Sequence, residues 1–247
     1  MSEAALLKVE GVTKRFGGFI ALDKVELSVA AGERLGLIGP NGSGKSTLVN
    51  CITGVLRNEA GRIRFDGEDI TGLPAHRRIR RGLARSFQIP RPFSSMTVID
   101  NLRVPLLYAA GEHDGAVRLS EAESFAQAQT ILESVGLASK AHTMSGGLTQ
   151  VDMRKLELAR AIAARPKLLI SDEAMAGLSS SEVDEILQLL CAMKERGIAV
   201  VMIEHIMRAV MLFSQRLVVL VAGRKVADGD PAEVVRNSDV ERAYLGE

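Results

Sequence analysis

Gly39-Pro40-Asn41-Gly42-Ser43-Gly44-Lys45-Ser46-Thr47 decides how this chain is read. Its spacing is G-x-x-x-x-G-K-S, a phosphate-binding loop. Arg34-Leu35-Gly36-Leu37-Ile38 precedes it as a short apolar run of buried-strand type. Leu48, Val49, Ile52 and Val55 follow at helical spacing, and this strand–loop–helix context separates a site from a chance string. The glycines let consecutive backbone N–H groups turn inward around a phosphate, and the following helix aims its positive end there. Lys45 is placed to reach the β- and γ-phosphates, and the Ser46 hydroxyl to ligate Mg²⁺. The expected ligand is a nucleoside triphosphate.

Working outward, the second half of such a site is expected at the end of another buried strand. Leu168-Leu169-Ile170-Ser171-Asp172-Glu173 supplies it. Asp172 would hold Mg²⁺ through water, and Glu173 would orient or deprotonate the attacking water. A further apolar strand over 198–203 runs into Glu204-His205. A histidine there can donate a hydrogen bond to a transferred phosphoryl group.

The 247 residues can form one large domain or two small ones, and the chain is long enough for a substantial core. A formal net charge of +1 argues against a nucleic-acid protein that works by bulk electrostatics. Cys51 and Cys191 form no C-x-x-C, so neither a disulfide framework nor a zinc site is expected. The N-terminus lacks the basic-then-apolar order of a signal peptide, and no apolar run approaches membrane-spanning length.

In order, residues 6–29 read as two antiparallel strands, the second alternating at Val25, Leu27 and Val29. Lys14-Arg15-Phe16-Gly17-Gly18 reads as the loop between them. Phe16 fits both an adenine-stacking ring and a core-edge residue. Gly61-Arg62-Ile63-Arg64-Phe65 is a strand closed by the hairpin signal Asp66-Gly67. Pro74 opens a basic helix, His76-Arg77-Arg78-Ile79-Arg80-Arg81, expected to be a solvated face. A strand over 83–87 ends at Gln88, and two prolines then mark an irregular connector.

Residues 97–164 read as helices, with capping boxes at Thr97-x-x-Asp100 and Ser120-x-x-Glu123, a loop over 109–118 and a stop at Gly136. Ser179 or Ser180 caps a helix running to about Glu195, with Val183, Ile186, Leu187 and Leu190 on one face. A hairpin around Ala222-Gly223 and two short helices, the first from Pro231, close the chain.

Together these residues resemble the ATP-binding subunits of ABC transporters across essentially the whole chain. The order is Phe16, the loop from Gly39 to Thr47, Gln88, a helical block, Asp172-Glu173 and His205. Lys14-Arg15-Phe16-Gly17-Gly18-Phe19-Ile20-Ala21-Leu22, Ala84-Arg85-Ser86-Phe87-Gln88, Glu204-His205-Ile206-Met207 and the closing Tyr244-Leu245-Gly246-Glu247 look like branched-chain (hydrophobic) amino-acid importer ATPases. The resemblance implies an α/β P-loop NTPase fold with a RecA-like core sheet, an N-terminal antiparallel β subdomain and a helical insertion. Residues 1–93 and 165–247 would form the nucleotide-binding core and 94–164 the helical subdomain of a single 1–247 domain. It implies Mg²⁺-dependent ATP hydrolysis with Glu173, His205 and Gln88 as catalytic residues, and Ser46, Gln88 and Asp172 as metal ligands. Two such subunits would sandwich two ATPs head to tail in the cytoplasm, beneath membrane permease subunits fed by a periplasmic solute-binding protein. Gln88 and the loop after it would pass ATP-driven motion to the permease. Lipid-export ATPases and soluble ABC ATPases share the same motifs and stand as alternatives.

The signature motif departs from the family pattern L-S-G-G-Q. Met144-Ser145-Gly146-Gly147-Leu148 looks like it at once, but Ser145 lies 27 residues before Asp172. Thr149, 23 residues before Asp172, stands where the family keeps its signature serine. Thr149-x-x-Asp152 is also a capping box ahead of the helical pattern Met153, Leu156, Ala159, Ile162. Thr149 is therefore the expected hydroxyl toward the partner's ATP, with Ser145 in a preceding loop. Gln150 and Val151 replace the two glycines, and Ser179 stands in place of an aspartate beyond the catalytic glutamate. Both departures leave nucleotide binding intact and open heterodimer as well as homodimer assembly.

Overall fold

The computed structural model describes residues 5–108 and 119–245. The expected loop over 109–118 and the closing Gly246-Glu247 lie outside them.

Two sheets organise the chain. The first is antiparallel, in the order β2-β1-β4-β5, built from β1 (Leu7–Phe16), β2 (Phe19–Val29), β4 (Ala60–Phe65) and β5 (Glu68–Asp69). The second has the order β10-β9-β3-β8-β7-β6. Its strands are β3 (Arg34–Ile38), β6 (Leu83–Ser86), β7 (Leu168–Asp172), β8 (Ala199–Ile203), β9 (Arg216–Val221) and β10 (Arg224–Gly229). All its pairings are parallel except β9 with β10.

The apolar runs of β7 and β8 are continuous because both faces are covered. Leu168 and Ile170 pack with Leu48, Val49 and Ile52 of α1 (Lys45–Thr53) and with Leu7, Val9, Val25 and Leu27 of the first sheet. Leu169, Val200 and Met202 pack the other way, against α5 (Gln150–Ala163) and α6 (Ser180–Ala192). Each fully buried Leu or Ile there contributes about 1.5–3 kcal/mol. In α6 the buried residues are the expected Val183, Ile186, Leu187 and Leu190.

Several sequence expectations are corrected here. The α1 helix stops at Thr53 because Gly54 takes the left-handed conformation, so Val55 lies beyond it and is exposed. Lys14, Arg15 and Phe16 belong to β1, leaving only Gly17-Gly18 as the turn. The 83–87 strand ends at Ser86, and α6 tightens into a 3₁₀ turn after Ala192. The basic helix α2 (Ala75–Arg80) is not wholly solvated, since Arg78 is buried. Its guanidinium donates to the carbonyls of Cys51 (2.8 Å), Ile52 (2.7 Å), Thr71 (3.0 Å) and Leu73 (2.8 Å). It thereby satisfies the C-terminal carbonyls of the helix that starts at the phosphate loop.

The stretch between β6 and β7 carries α3 (Val98–Tyr108), α4 (Glu121–Ser134) and α5. Ser120 and Glu123 form the full capping box, and Gly136 follows α4 with φ 74°. Thr97 accepts from the Asp100 N–H at 3.2 Å.

Candidate active site

The carboxyl ends of the parallel strands β3, β6, β7 and β8 deliver the candidate residues to one edge of the sheet, where open α/β sheets bind ligands. After β3 the loop must turn tightly for its N–H groups to surround a phosphate, and its glycines adopt the conformations this needs: Gly39, Gly42 and Gly44 have φ of 153°, 79° and 103°. At Gly39 a Cβ would sit 2.1 Å from the Leu220 carbonyl oxygen, and at Gly44 it would sit 2.7 Å from that of Ala21. The loop is pinned from behind by the β9–β10 turn, where the Gly223 N–H donates to the Ser43 carbonyl at 2.9 Å.

Lys45 is buried and donates to the carbonyls of Gly39 (2.7 Å) and Pro40 (3.0 Å), folding back over its own loop. Burial lowers its pKa from the ordinary lysine value, against the opposing charges of Glu173 and Asp172. Ser46 is exposed at the start of α1, with Thr47 behind it and Asn41 on the loop's outer turn. Those positions suit a triphosphate, and Ser46 and Asp172 could hold one Mg²⁺ beside it. Among the described residues no group of three or more His, Cys, Asp or Glu is placed to hold a metal by itself.

Glu173 follows β7 with φ 49°, an uncommon conformation for a residue with a side chain, held by its N–H on the Ile203 carbonyl at 2.9 Å. The carboxylate receives two predicted partners. Gln88 donates its amide to Oε2, and His205 Nε2 lies 2.9 Å from Oε1. Thus Gln88, Glu173 and His205, far apart in the chain, form one cluster beside Lys45.

Phe16 ends β1 opposite Phe19 and is exposed, with Lys14 Nζ 5.2 Å from its ring centroid. Its ring is therefore accessible to a ligand. Thr149 is elsewhere: it caps α5, accepting from the Asp152 N–H at 3.3 Å and donating to its carboxylate at 2.6 Å. Lys140 rather than a returning backbone N–H completes that carboxylate. Ser145 lies in a 3₁₀ turn and is fully buried, its hydroxyl donating to Phe93 O at 2.9 Å. The helix therefore begins at Thr149, and Ser145 pins the preceding turn.

Residues to which the motifs assign no role complete the site. Arg85 pairs with Asp172 at 2.6 Å and with Asn50 Oδ1 at 2.7 Å. Glu204 is buried and accepts the Met175 N–H at 2.8 Å, and burial raises its carboxyl above the usual range. Neither pairing has a signal in sequence spacing, because each joins elements brought together only by the sheet order.

Comparison with known proteins agrees with this geometry. The family model described as ABC transporter matches residues 22–176. The chain is 41% identical to the high-affinity branched-chain amino acid transport ATP-binding protein BraF of Pseudomonas aeruginosa, over 98% of both chains. It is 37% identical to LivG of Escherichia coli, which carries the same description, again over 98% of both. Among solved structures it is similar to a nucleotide-free ATP-binding cassette from an ABC transporter, with TM-score 0.88 and 33% identity over 99% of this chain and 100% of that one. The ADP conformation of an ATP-binding cassette of an ABC transporter matches with the same values.

Proposed function

The chain belongs to the ABC transporter family of ATP-binding proteins, and on that footing we propose that it hydrolyses Mg²⁺-ATP to power an importer of branched-chain or other hydrophobic amino acids. One observation supports the chemistry above all others: Glu173 receives both Gln88 and His205 beside the Lys45 loop. The solute class is supported by the names of the full-length relatives.

In this reading the loop N–H groups and Lys45 bind the phosphates, and Phe16 stacks on the adenine. Mg²⁺, where bound, neutralises charge developing between the β- and γ-phosphates. Ser46 and Asp172 would hold it, with Gln88 as a further ligand. Glu173 orients a water and takes its proton, and His205, whose Nε2 holds the Glu173 carboxylate here, would turn that N–H toward the transferred phosphoryl group.

Thr149 reaches the ATP of a second subunit, either a copy of this chain or a related one. Gln150 supports that placement despite replacing a glycine, because its amide turns aside to the Ala176 carbonyl at 3.3 Å. Ser179, in place of the family's aspartate, forms a complete capping box with Glu182 at the start of α6.

Residues 94–164 act as the helical subdomain, and the remainder as the core. Between them lies a groove of about 360 Å³ lined by Ile79, Phe87, Phe93, Val104, Tyr108 and Arg160. Its apolar rim adjoins the Gln88 segment, and we assign it to the permease. Among the described residues no helix is long and apolar enough to cross a membrane. The subunit would then sit on the cytoplasmic face, with a periplasmic solute-binding protein acting from the other side.

The test is loss of the gene in its own host, with uptake of radiolabelled leucine, isoleucine and valine as the readout. Uptake should fall and return on complementation with the wild-type gene but not with a Glu173→Gln copy. Unchanged uptake overturns the solute class. Absence of phosphate release from ATP by the assembled complex overturns the enzymatic reading.

A further inference from the structure

Strand β6 lies at the edge of the second sheet, with Leu83 opposite Leu168 and Arg85 opposite Ile170 of β7. Alternation puts Leu83 and Arg85 on the face that Leu168, Ile170 and Asp172 share, the face covered by α1. A guanidinium there costs free energy unless its donors are met. Two different elements meet them. Arg85 Nη2 donates to Asp172 Oδ2 at 2.6 Å, and Nη1 donates to Asn50 Oδ1 at 2.7 Å. The Phe87 ring lies beside the guanidinium, its centroid 5.1 Å from Cζ. The Arg85 and Asp172 side chains are only 13% and 9% exposed, so this is no screened surface pair. Asn50 lies one turn after Ser46 in α1, on the same face of the helix. One guanidinium thus joins the start of α1 to the end of β7.

We propose that Arg85 is a positioning residue that sets the separation of Ser46 from Asp172. That role rests on the reading that Ser46 and Asp172 hold Mg²⁺. The ion demands near-octahedral geometry with ligands at about 2.0–2.1 Å, so the elements carrying its protein ligands must keep their distance. The sheet alone does not fix it, because β3, which leads into the phosphate loop, is separated from β7 by β8. A planar guanidinium can, since its terminal nitrogens have a fixed spacing that a lysine ammonium lacks. Asp172 gives Oδ2 to Arg85, which leaves Oδ1 for the ion or its water. Repulsion between guanidinium and ion acts the other way. It is offset because Asp172 neutralises Arg85 at 2.6 Å and the ion keeps several of its own waters. Placement outweighs charge.

The experiment uses the full chain with Arg85→Gln, Arg85→Lys and Asn50→Ala. Asn50→Ala cuts one arm and suits a helix, so it decides the matter if Arg85→Gln does not fold. Mn²⁺ replaces Mg²⁺ as the probe, and its EPR signal reads binding to the chain loaded with a non-hydrolysable ATP analogue. A fluorescent ATP analogue in EDTA reads nucleotide affinity without metal, and thermal melting in EDTA reads the clamp itself. Mn²⁺ affinity should fall about tenfold in Arg85→Gln, the lower range for a residue behind a metal ligand. It should fall at least about threefold in Asn50→Ala and stay reduced in Arg85→Lys. Nucleotide affinity in EDTA should stay within about threefold of wild type. Asn50→Ala should depress the melting temperature more in the wild-type chain than in Arg85→Gln, whose arm is already missing. Wild-type or tighter Mn²⁺ binding in Arg85→Gln overturns the proposal. So does full recovery in Arg85→Lys, an equal loss of nucleotide affinity in EDTA, or equal melting shifts in the two backgrounds. A wild-type complex that binds Mn²⁺ no better than free nucleotide fails the metal reading instead, and the melting comparison still decides the clamp.

Discussion

His205 Nε2 lies 2.9 Å from Oε1 of Glu173, joining the residue after β7 to the loop after β8. The parallel pairing that aligns Asp172 with Ile203 brings the two strand ends level, and the left-handed turn at Glu173 directs its carboxylate to the histidine. This contact and the Gln88 amide leave one carboxylate with two fixed donors.

Glu173→Gln keeps the shape and loses the base. ATP affinity should stay within about threefold while turnover falls by at least about a hundredfold, the lower range for a general base. Single-turnover phosphate release measures it, and a near wild-type rate excludes Glu173 as the base.

Lys45→Ala should fail at an earlier step. Its ammonium makes charge-assisted hydrogen bonds worth about 1.5–3 kcal/mol, so ATP affinity should drop by about ten- to a hundredfold. Titration with a fluorescent ATP analogue reads the loss. Unchanged affinity would place the phosphates elsewhere.

Thr149→Ala removes a helix cap and should cost about 1 kcal/mol of stability, together with ATP-dependent dimerisation. Ser145→Ala also destabilises, by about 1–2 kcal/mol, because it strips a buried hydroxyl from Phe93 O and Asn101 Nδ2. It should spare dimerisation. Melting curves and size-exclusion with ATP separate the two, and dimer loss in Ser145→Ala alone would return the signature role to Ser145.

Glu204 carries a pH signature. Burial, then the nearby Glu173 charge, raise its folded pKa above the unfolded value, while its bond to the Met175 N–H opposes the shift. Its contribution to stability is full below the unfolded carboxylate pKa and is lost as pH rises through the raised folded value. Glu204→Gln is neutral throughout, so it should melt higher than wild type at pH 8, by about 2–4 °C for each kcal/mol relieved, and lose the advantage toward pH 4. Melting temperatures across that range give the answer. An equal offset at every pH contradicts the linkage.

The nucleotide edge was legible in the sequence because its signals are local. Gly39 to Thr47 encodes its backbone in glycines, buried strands encode themselves in apolar runs, and Thr149-x-x-Asp152 encodes a helix start in adjacent chemistry. The start of α5 after Thr149 likewise followed from helix-start chemistry. Tertiary structure alone decided the long-range polar partners. A run of arginines gives no sign that Arg78 turns inward to four carbonyls, since that depends on where Cys51, Ile52, Thr71 and Leu73 end up. Ser145 had the composition of a loop and proved a buried pin, because Phe93 and Asn101 arrive from another element. Arg85 on Asp172 is hidden for the same reason. Hydrogen bonds and ion pairs act over about 3 Å in space, while sequence periodicity records only which side of an element faces the core.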